Sequence, residues 1–212
     1  MLKVYGFARV NAMARGNTRD LRVLWALEEM GLPYELVGMD HPAGDLDSGA
    51  FRALNPFGQL PVIDDDGVVV TESGAILLYL ARKSGRLMPR DPAGEAQVVR
   101  WSIAALTSIE VPVLSGWFVD VMGGEGTKPS AALRDWAATR LAQLDGWLAD
   151  RDFVATDELT VADILMAHVL GAAANKGLLE PHANVRAYRE RCAARPAWQR
   201  TLEAYFARVE VG

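Results

Sequence analysis

The amino-acid sequence predicts a small α/β domain followed by an all-helical one. Three observations carry this reading. Residues 1–83 alternate short β-like runs with helical ones, whereas the remainder has helical spacing almost throughout. Two short apolar runs flank Asp64-Asp65-Asp66-Gly67, a hairpin signal with Asp-Gly as the turn. Between the two compositions lies Ser84 to Gly94, with two prolines and three glycines or serines, which reads as a linker. The predicted division is therefore 1–83, a linker at 84–94, and 95–212.

The elements follow in order. Leu2 to Phe7 is a short apolar strand. Leu21 to Met30 has helical spacing, with Leu21, Leu24, Trp25 and Leu27 on one face, and Gly31 and Pro33 stop it. Tyr34 to Met39 reads as a second strand, so the first three elements form a βαβ unit with parallel strands. Leu60 to Ile63 and Val68 to Val70 form the hairpin, and Gly74 to Lys83 is helical. The order β-α-β then β-β-α suits a small mixed sheet with helices on its faces. Beyond the linker, Glu95 to Met122, Ser130 to Asp150, Val161 to Lys176, Ala183 to Ala194 and Trp198 to Arg208 read as helices, with a break at Gly123 to Gly126.

Composition excludes several function classes. A net charge of −5 argues against a nucleic-acid or anionic-membrane partner. No apolar run reads as long enough to cross a bilayer, and the N-terminus shows no signal-peptide pattern. A single cysteine, Cys192, excludes an intramolecular disulfide and a cysteine-based zinc site. His41, His168 and His182 have no metal-ligand spacing, so no metal is expected. The turn carboxylates at Asp64 to Asp66 read as a solvated hairpin. A cytoplasmic location is the expectation.

The most informative segment is Asn55-Pro56-Phe57-Gly58-Gln59-Leu60-Pro61-Val62. Pro61 sits at the mouth of a strand, where a missing N–H costs a ladder bond. A cis Leu60–Pro61 bond accounts for that position and leaves the Leu60 backbone able to pair with an extended peptide. A trans proline closing a loop is the plainer alternative. Ten residues later come Glu72 and Ser73, directly before a helix. Ser73 is placed to cap that helix, whose first-turn N–H groups make an anion site, and Glu72 can hold an ammonium. Together they suit an α-amino acid zwitterion, although a plain N-cap beside a solvated glutamate has the same sequence.

Asn-Pro-x-Gly-Gln-Leu-Pro, an Asp/Gly hairpin, then Glu-Ser and an apolar helix resembles the glutathione site of the soluble glutathione transferases. The resemblance covers the whole chain in element order and length. It implies a thioredoxin-like N-terminal domain joined to an all-α C-terminal domain. It further implies that Leu60 pairs its main chain with the cysteinyl part of glutathione, that Pro61 is the cis-proline, and that Glu72 and Ser73 bind the γ-glutamyl end. Gln59 would lie near the glycyl end. A second mark is Leu159-Thr160-Val161-Ala162-Asp163-Ile164, a capping box with a hydrophobic staple, whose role is folding.

A transferase of this kind ionises a thiol. Lowering a free thiol pKa of ~8.5 by two units needs about 2.7 kcal/mol. A helix N-terminus supplies ~0.3–1 kcal/mol and one hydrogen bond to the charged sulfur ~1.5–3 kcal/mol. One donor at the start of the first helix is therefore sufficient. Family members carry a Tyr, Ser or Cys there, and this sequence departs from them: Ala8 to Asp20 contains no Ser, Tyr or Cys. Counting back from Arg22-Val23 places Asn17 at the serine position, followed by Thr18, and both are candidate donors. Tyr5 is a third candidate, and Arg15 and Arg19 are placed to assist. Asn17 and Thr18 as plain helix caps are the alternative.

The resemblance implies an acceptor side lined by residues around Trp101, Leu106, Ile109, Val113, Trp117 and Phe118, and a homodimer. Three functions stay open. The chain is a glutathione transferase acting on small electrophiles, or reducing peroxides in a detoxification role; or a non-catalytic glutathione-binding or regulatory protein; or a glutathione-dependent isomerase or dehalogenase. Fold alone does not choose among them.

Overall fold

The computed structural model describes residues 1–212. They group into two compact units, Met1–Arg86 with Arg195–Gly212, and Leu87–Ala194.

The first unit is built on a sheet of five strands. The elements are β1 (Leu2–Val10), α1 (Asp20–Met30), β2 (Glu35–Asp40), α2 (Gly49–Leu54), β3 (Val62–Asp65), β4 (Val68–Thr71) and α3 (Ser73–Ser84). The chain returns at its end with α9 (Pro196–Arg208) and β5 (Glu210–Val211). Strand order is β2-β1-β3-β4, with β5 beside the far end of β1. β1 and β2 are parallel, as the βαβ reading required. β3 and β4 are antiparallel across the Asp-Gly turn, where the Gly67 N–H donates to Asp64 Oδ1 at 2.7 Å.

The apolar face predicted for α1 understates its burial. Leu21, Val23, Leu24, Trp25, Ala26, Leu27 and Met30 are all buried, and so are Asp20 and Arg22. The reason is that α1 packs on the sheet, on α3 and on α9. α9 is fastened to it by tilted packing of Trp198 against Trp25, with centroids 4.7 Å apart, and by a two-pronged ion pair from Arg195 to Glu29 at 2.6 and 2.8 Å. The sequence assigned Arg195–Gly212 to the helical part, because α9 looks like one more amphipathic helix. Its apolar side is instead the cover of α1, and β5 then pairs Arg9 and Val10 of β1. Helix α2 also escaped the sequence reading. At six residues it is too short to show a period, and a Ser48 side-chain cap on the Phe51 N–H defines it.

The second unit holds α4 (Pro92–Ala104), α5 (Glu110–Val119), α6 (Lys128–Trp147), α7 (Val161–Ala174) and α8 (Ala183–Ala193). Single π-helical turns at Ala105–Ile109 and Asp120–Gly124 follow α4 and α5, so the helical run extends from Pro92 to Gly124, with Gly123 leaving helical geometry at φ 85° where the break was expected. That 33-residue run, with a peak mean hydropathy of 1.5, is long and apolar enough to span a bilayer by length and composition, which corrects the sequence reading. Its buried side, including Val98, Ala105, Ile109 and Val113, packs on α7, the use a core helix makes of apolar surface.

α7 is buried on nearly every side, and its start is held by one carboxylate. Thr160 and Asp163 form the expected reciprocal box. Asp163 does more than the motif asks. Its Oδ2 accepts from the Thr160 N–H and hydroxyl, both at 2.8 Å, and its Oδ1 from the Val154 N–H at 2.8 Å and the Tyr188 hydroxyl at 3.0 Å. Burial still pushes its carboxyl above the usual range, with those donors opposing. A second tertiary cap serves α8, whose Asn184 and Val185 N–H groups donate to Asp145 Oδ1 at 2.8 and 3.0 Å.

Two predictions follow from this packing. Thr160→Ala removes one arm of the box and should lower stability by about 1 kcal/mol or more, seen as a lower melting temperature; an unchanged one refutes the cap. In the first unit, Asp65 accepts from Lys83 and, at 2.6 Å, from Tyr79, and these hold its carboxyl below the usual range. A depressed acid stabilises fully above its unfolded pKa of ~3.9 and loses that contribution as pH falls through the lower folded value. Asp65→Asn should therefore melt earlier than the parent at pH 7, and the gap should close in acid melts as pH falls through the lower folded value.

Candidate functional site

The segment Asn55 to Val62 is built around Asn55, which is itself buried. Its Nδ2 donates to the Gln59 carbonyl at 2.7 Å and its Oδ1 accepts the Phe57 N–H at 3.1 Å. Its own carbonyl accepts the Gly58 N–H at 2.9 Å. One side chain thus folds the turn back on itself. The turn delivers Leu60 and Pro61 buried at the mouth of β3, with the Leu60–Pro61 peptide cis, and leaves Gln59 exposed.

The β4–α3 junction supplies the second part. Glu72 is exposed and adopts φ 67°, a left-handed value that a non-glycine residue rarely takes. Such positions collect at functional sites, because surrounding structure must hold them. Ser73 does not cap α3, contrary to the sequence expectation. The helix begins one residue earlier, with the Glu72 carbonyl accepting the Ile76 N–H at 2.9 Å, so Ser73 is the first residue inside. Its hydroxyl instead accepts from Arg22 Nη1 at 3.1 Å. Both side chains are buried. This bond ties the first turn of α1 to the first turn of α3, and brings two helix N-termini together.

The start of α1 is the third part. Asn17 is exposed, whereas Thr18 is buried. The Thr18 hydroxyl is hydrogen-bonded to the Tyr205 hydroxyl of α9 at 2.9 Å and also bonds Asp20. The N-cap position of α1 is Arg19, and its side chain makes no cap bond. The two candidate donors therefore point to different surroundings: Asn17 to the surface, Thr18 to the interior. Below them, Asp20 is completely buried. Its Oδ2 accepts the Phe7 N–H at 3.0 Å, while Oδ1 has no partner. Burial raises its carboxyl above the usual range, against the Thr18 hydroxyl, the Phe7 N–H and the charge of Arg208. The other sequence candidates sit apart from this cluster. Tyr5 packs on Phe51 with centroids 6.2 Å apart, and Arg15 lies on the Phe206 ring at 5.3 Å. The hairpin carboxylates are engaged locally, Asp64 by Gly67 and Asp66 by the chain amino group. In the helical unit, Ile109 and Val113 are core, while Trp117 and Phe118 are exposed.

Sequence reasoning missed Asn55, Arg22, Asp20 and Tyr205. Asn before Pro is itself a turn signal that pointed to Asn55. Asp20 and Arg22 flank Leu21 as charges do on any amphipathic helix, so their burial left no mark in the sequence. Tyr205 carried no signal, being 187 residues from Thr18.

A thioredoxin-like sheet with a cis-proline at the mouth of its third strand, facing a Glu-Ser helix start and joined to a helical unit, defines a class of glutathione-handling proteins. Comparison with known proteins agrees. The family model for the glutathione S-transferase N-terminal domain matches residues 13–82, and that for the C-terminal domain residues 128–196. Glutathione S-transferase 3 of Zea mays is 32% identical over 87% of this chain and 88% of its own. Glutathione S-transferase hmp2 of Hypomyces subiculosus is 31% identical over 96% and 99%. A glutathione transferase of Burkholderia graminis, solved with two glutathione molecules bound per subunit, superposes with a TM-score of 0.82 at 28% identity, over 96% of this chain and 88% of its own. The chain belongs to the glutathione S-transferase family.

The Arg22–Ser73 bond can be tested without a ligand. Ser73→Ala leaves a buried guanidinium N–H without its acceptor, which should cost about 1–3 kcal/mol in denaturant unfolding. An equal midpoint for both proteins would show that the bond contributes nothing.

Proposed function

We propose that this transferase binds glutathione across the three parts above and activates its thiol at the start of α1. The Leu60 main chain pairs with the cysteinyl part, with Pro61 beside it. Glu72 takes the γ-glutamyl ammonium, and Ser73 with the first N–H groups of α3 takes the carboxylate. Gln59, exposed at the edge of the turn, lies toward the glycyl end. The observation that carries the reading is the 3.1 Å bond from Arg22 to Ser73. It ties the glutamyl anchor to α1, and hence to the candidate donors four and five residues before Arg22.

Asn17 is the donor that fits best. Its side chain is at the surface, and its amide can donate to sulfur without carrying charge. Thr18, turned to Tyr205 and Asp20, supports it from below. Once the thiol proton leaves, the sulfur electron pair forms the new S–C bond with a small electrophile; proximity supplies much of the remaining rate. Peroxide reduction uses the same thiolate. The absence of Ser, Tyr or Cys at this connection favours one second reading, a non-catalytic glutathione-binding or regulatory protein.

Supporting a homodimer are apolar side chains held at the surface, among them Phe57, Ile103, Phe118 and Met122. From membership of the family we also propose a cytoplasmic location and a detoxification role.

Absorbance of the bound thiolate against pH separates the two readings. A transferase should show a thiol pKa about two units below the free value of ~8.5, and Asn17→Ala should return most of that shift while glutathione still binds by calorimetry. Bound glutathione that titrates like the free tripeptide would sink thiol activation and leave the binding protein.

A further inference from the structure

The connection from β1 to α1 is unusually long for so small a unit, and α9 holds it at every turn. Arg15 Nη2 donates to the Phe206 carbonyl at 2.9 Å. Gly16 has φ +82°, and a Cβ there would lie 2.9 Å from the Phe206 ring, so only glycine fits. The Gly16 N–H donates to the Tyr205 oxygen at 3.4 Å, and the Thr18 hydroxyl meets the same phenol at 2.9 Å. Asn17 is exposed between two residues that one buried phenol engages.

We propose that Tyr205 is a positioning residue for thiol activation: its hydroxyl engages the backbone of Gly16 and the side chain of Thr18, and so fixes the turn that presents the Asn17 amide. The inference rests on the function proposed above and deepens it. Its physical content is preorganisation. A flexible nine-residue connection, residues 11–19, would present Asn17 in many orientations, and a hydrogen bond to a developing thiolate is worth most when its donor is already aimed. The phenol oxygen accepts from the Gly16 N–H at 3.4 Å and from the Thr18 hydroxyl at 2.9 Å, so one buried atom holds the residues on both sides of Asn17. Beside Thr18, the buried Asp20 carboxyl is held by the Phe7 N–H at 3.0 Å. The site is built for that carboxyl. A Cβ on Gly6 of β1 would lie 2.9 Å from Asp20 Oδ2. The groups facing the cluster are Tyr205 and Arg208 from α9, Phe7 from β1, and Thr18 from the connection itself. Arg208 donates to the Phe7 carbonyl and leaves its Nη2 3.8 Å from Asp20, beyond hydrogen-bond reach.

The test is Tyr205→Phe, which keeps the ring among Val10, Leu21 and Val209 and removes only the oxygen. Using glutathione as the probe, its Kd by calorimetry should stay within about threefold. The bound-thiol pKa should rise by about one unit, and kcat with a chromogenic aryl halide should fall about tenfold with KM for glutathione little changed. Thr18→Val removes the other partner of the same bond. It should raise the thiol pKa likewise, and the double variant should be no worse than the worse single one. It also reads the proposal if Tyr205→Phe does not fold. A Tyr205→Phe protein that loses thermal stability but keeps the parental thiol pKa and kcat would overturn the inference alone, as would additive effects in the double variant. A parent whose bound thiol titrates at the free-glutathione pH would overturn the proposed function and this inference with it.

Discussion

Buried polar groups on the first turn of α1 impose the constraint that organises the first unit. Thr18, Asp20 and Arg22 are all buried, on a helix start whose own N–H groups also need partners. An unmet polar group in such a place costs about 1–3 kcal/mol, so the fold must bring donors and acceptors to it. They come from three directions. β1 gives the Phe7 N–H to Asp20, α3 gives the Ser73 hydroxyl to Arg22, and α9 gives Tyr205 to Thr18. The same contacts that satisfy the helix start also join the first turn of α3 and the connection ahead of α1, the two parts on which the proposed site rests.

The helical unit solves its own version of this problem with a single carboxylate. Asp163 takes four donors, two from the box itself, one from the preceding loop and one from Tyr188 of α8. A local helix cap becomes a tertiary junction when its acceptor has capacity left over. Asp145 does the same for α8 from across the bundle. In both units, then, some helix starts are completed by residues from other elements, while others, such as those of α2, α4 and α6, are capped by their own preceding residue.

Much of this was legible beforehand, and the reasons differ by element. The alternation of strand and helix in residues 1–83 is a local periodicity, so the β-α-β and β-β-α order could be read directly. The hairpin needed only Asp-Gly between two apolar runs, and the α7 box needed only four residues. The glutathione segment was legible because Asn55 through Pro61 folds through its own side chains and backbone. Ser73 was misread as a cap because the Glu72 left-handed turn, which starts α3 one residue early, has no marker in a glutamate. The long helix after the linker was read to within a few residues, as Glu95 to Met122, because its period and the glycines that end it are local; that it is apolar enough to span a bilayer was not read from it.

What the sequence determined by itself is the set of local elements, their order, and the motif whose residues lie within one short stretch of chain. Propensity, turn chemistry and period act over a few residues, and they leave their record in adjacent positions. What only the tertiary structure decided is the fate of the polar groups those elements bury. The periodicity of α9 showed that one face is apolar, but not that this face covers α1. Nothing near Thr18 told that its hydroxyl turns inward to a tyrosine 187 residues away while Asn17 turns out. Burial is a property of the packed whole, which is why two neighbouring residues of similar polarity face such different surroundings.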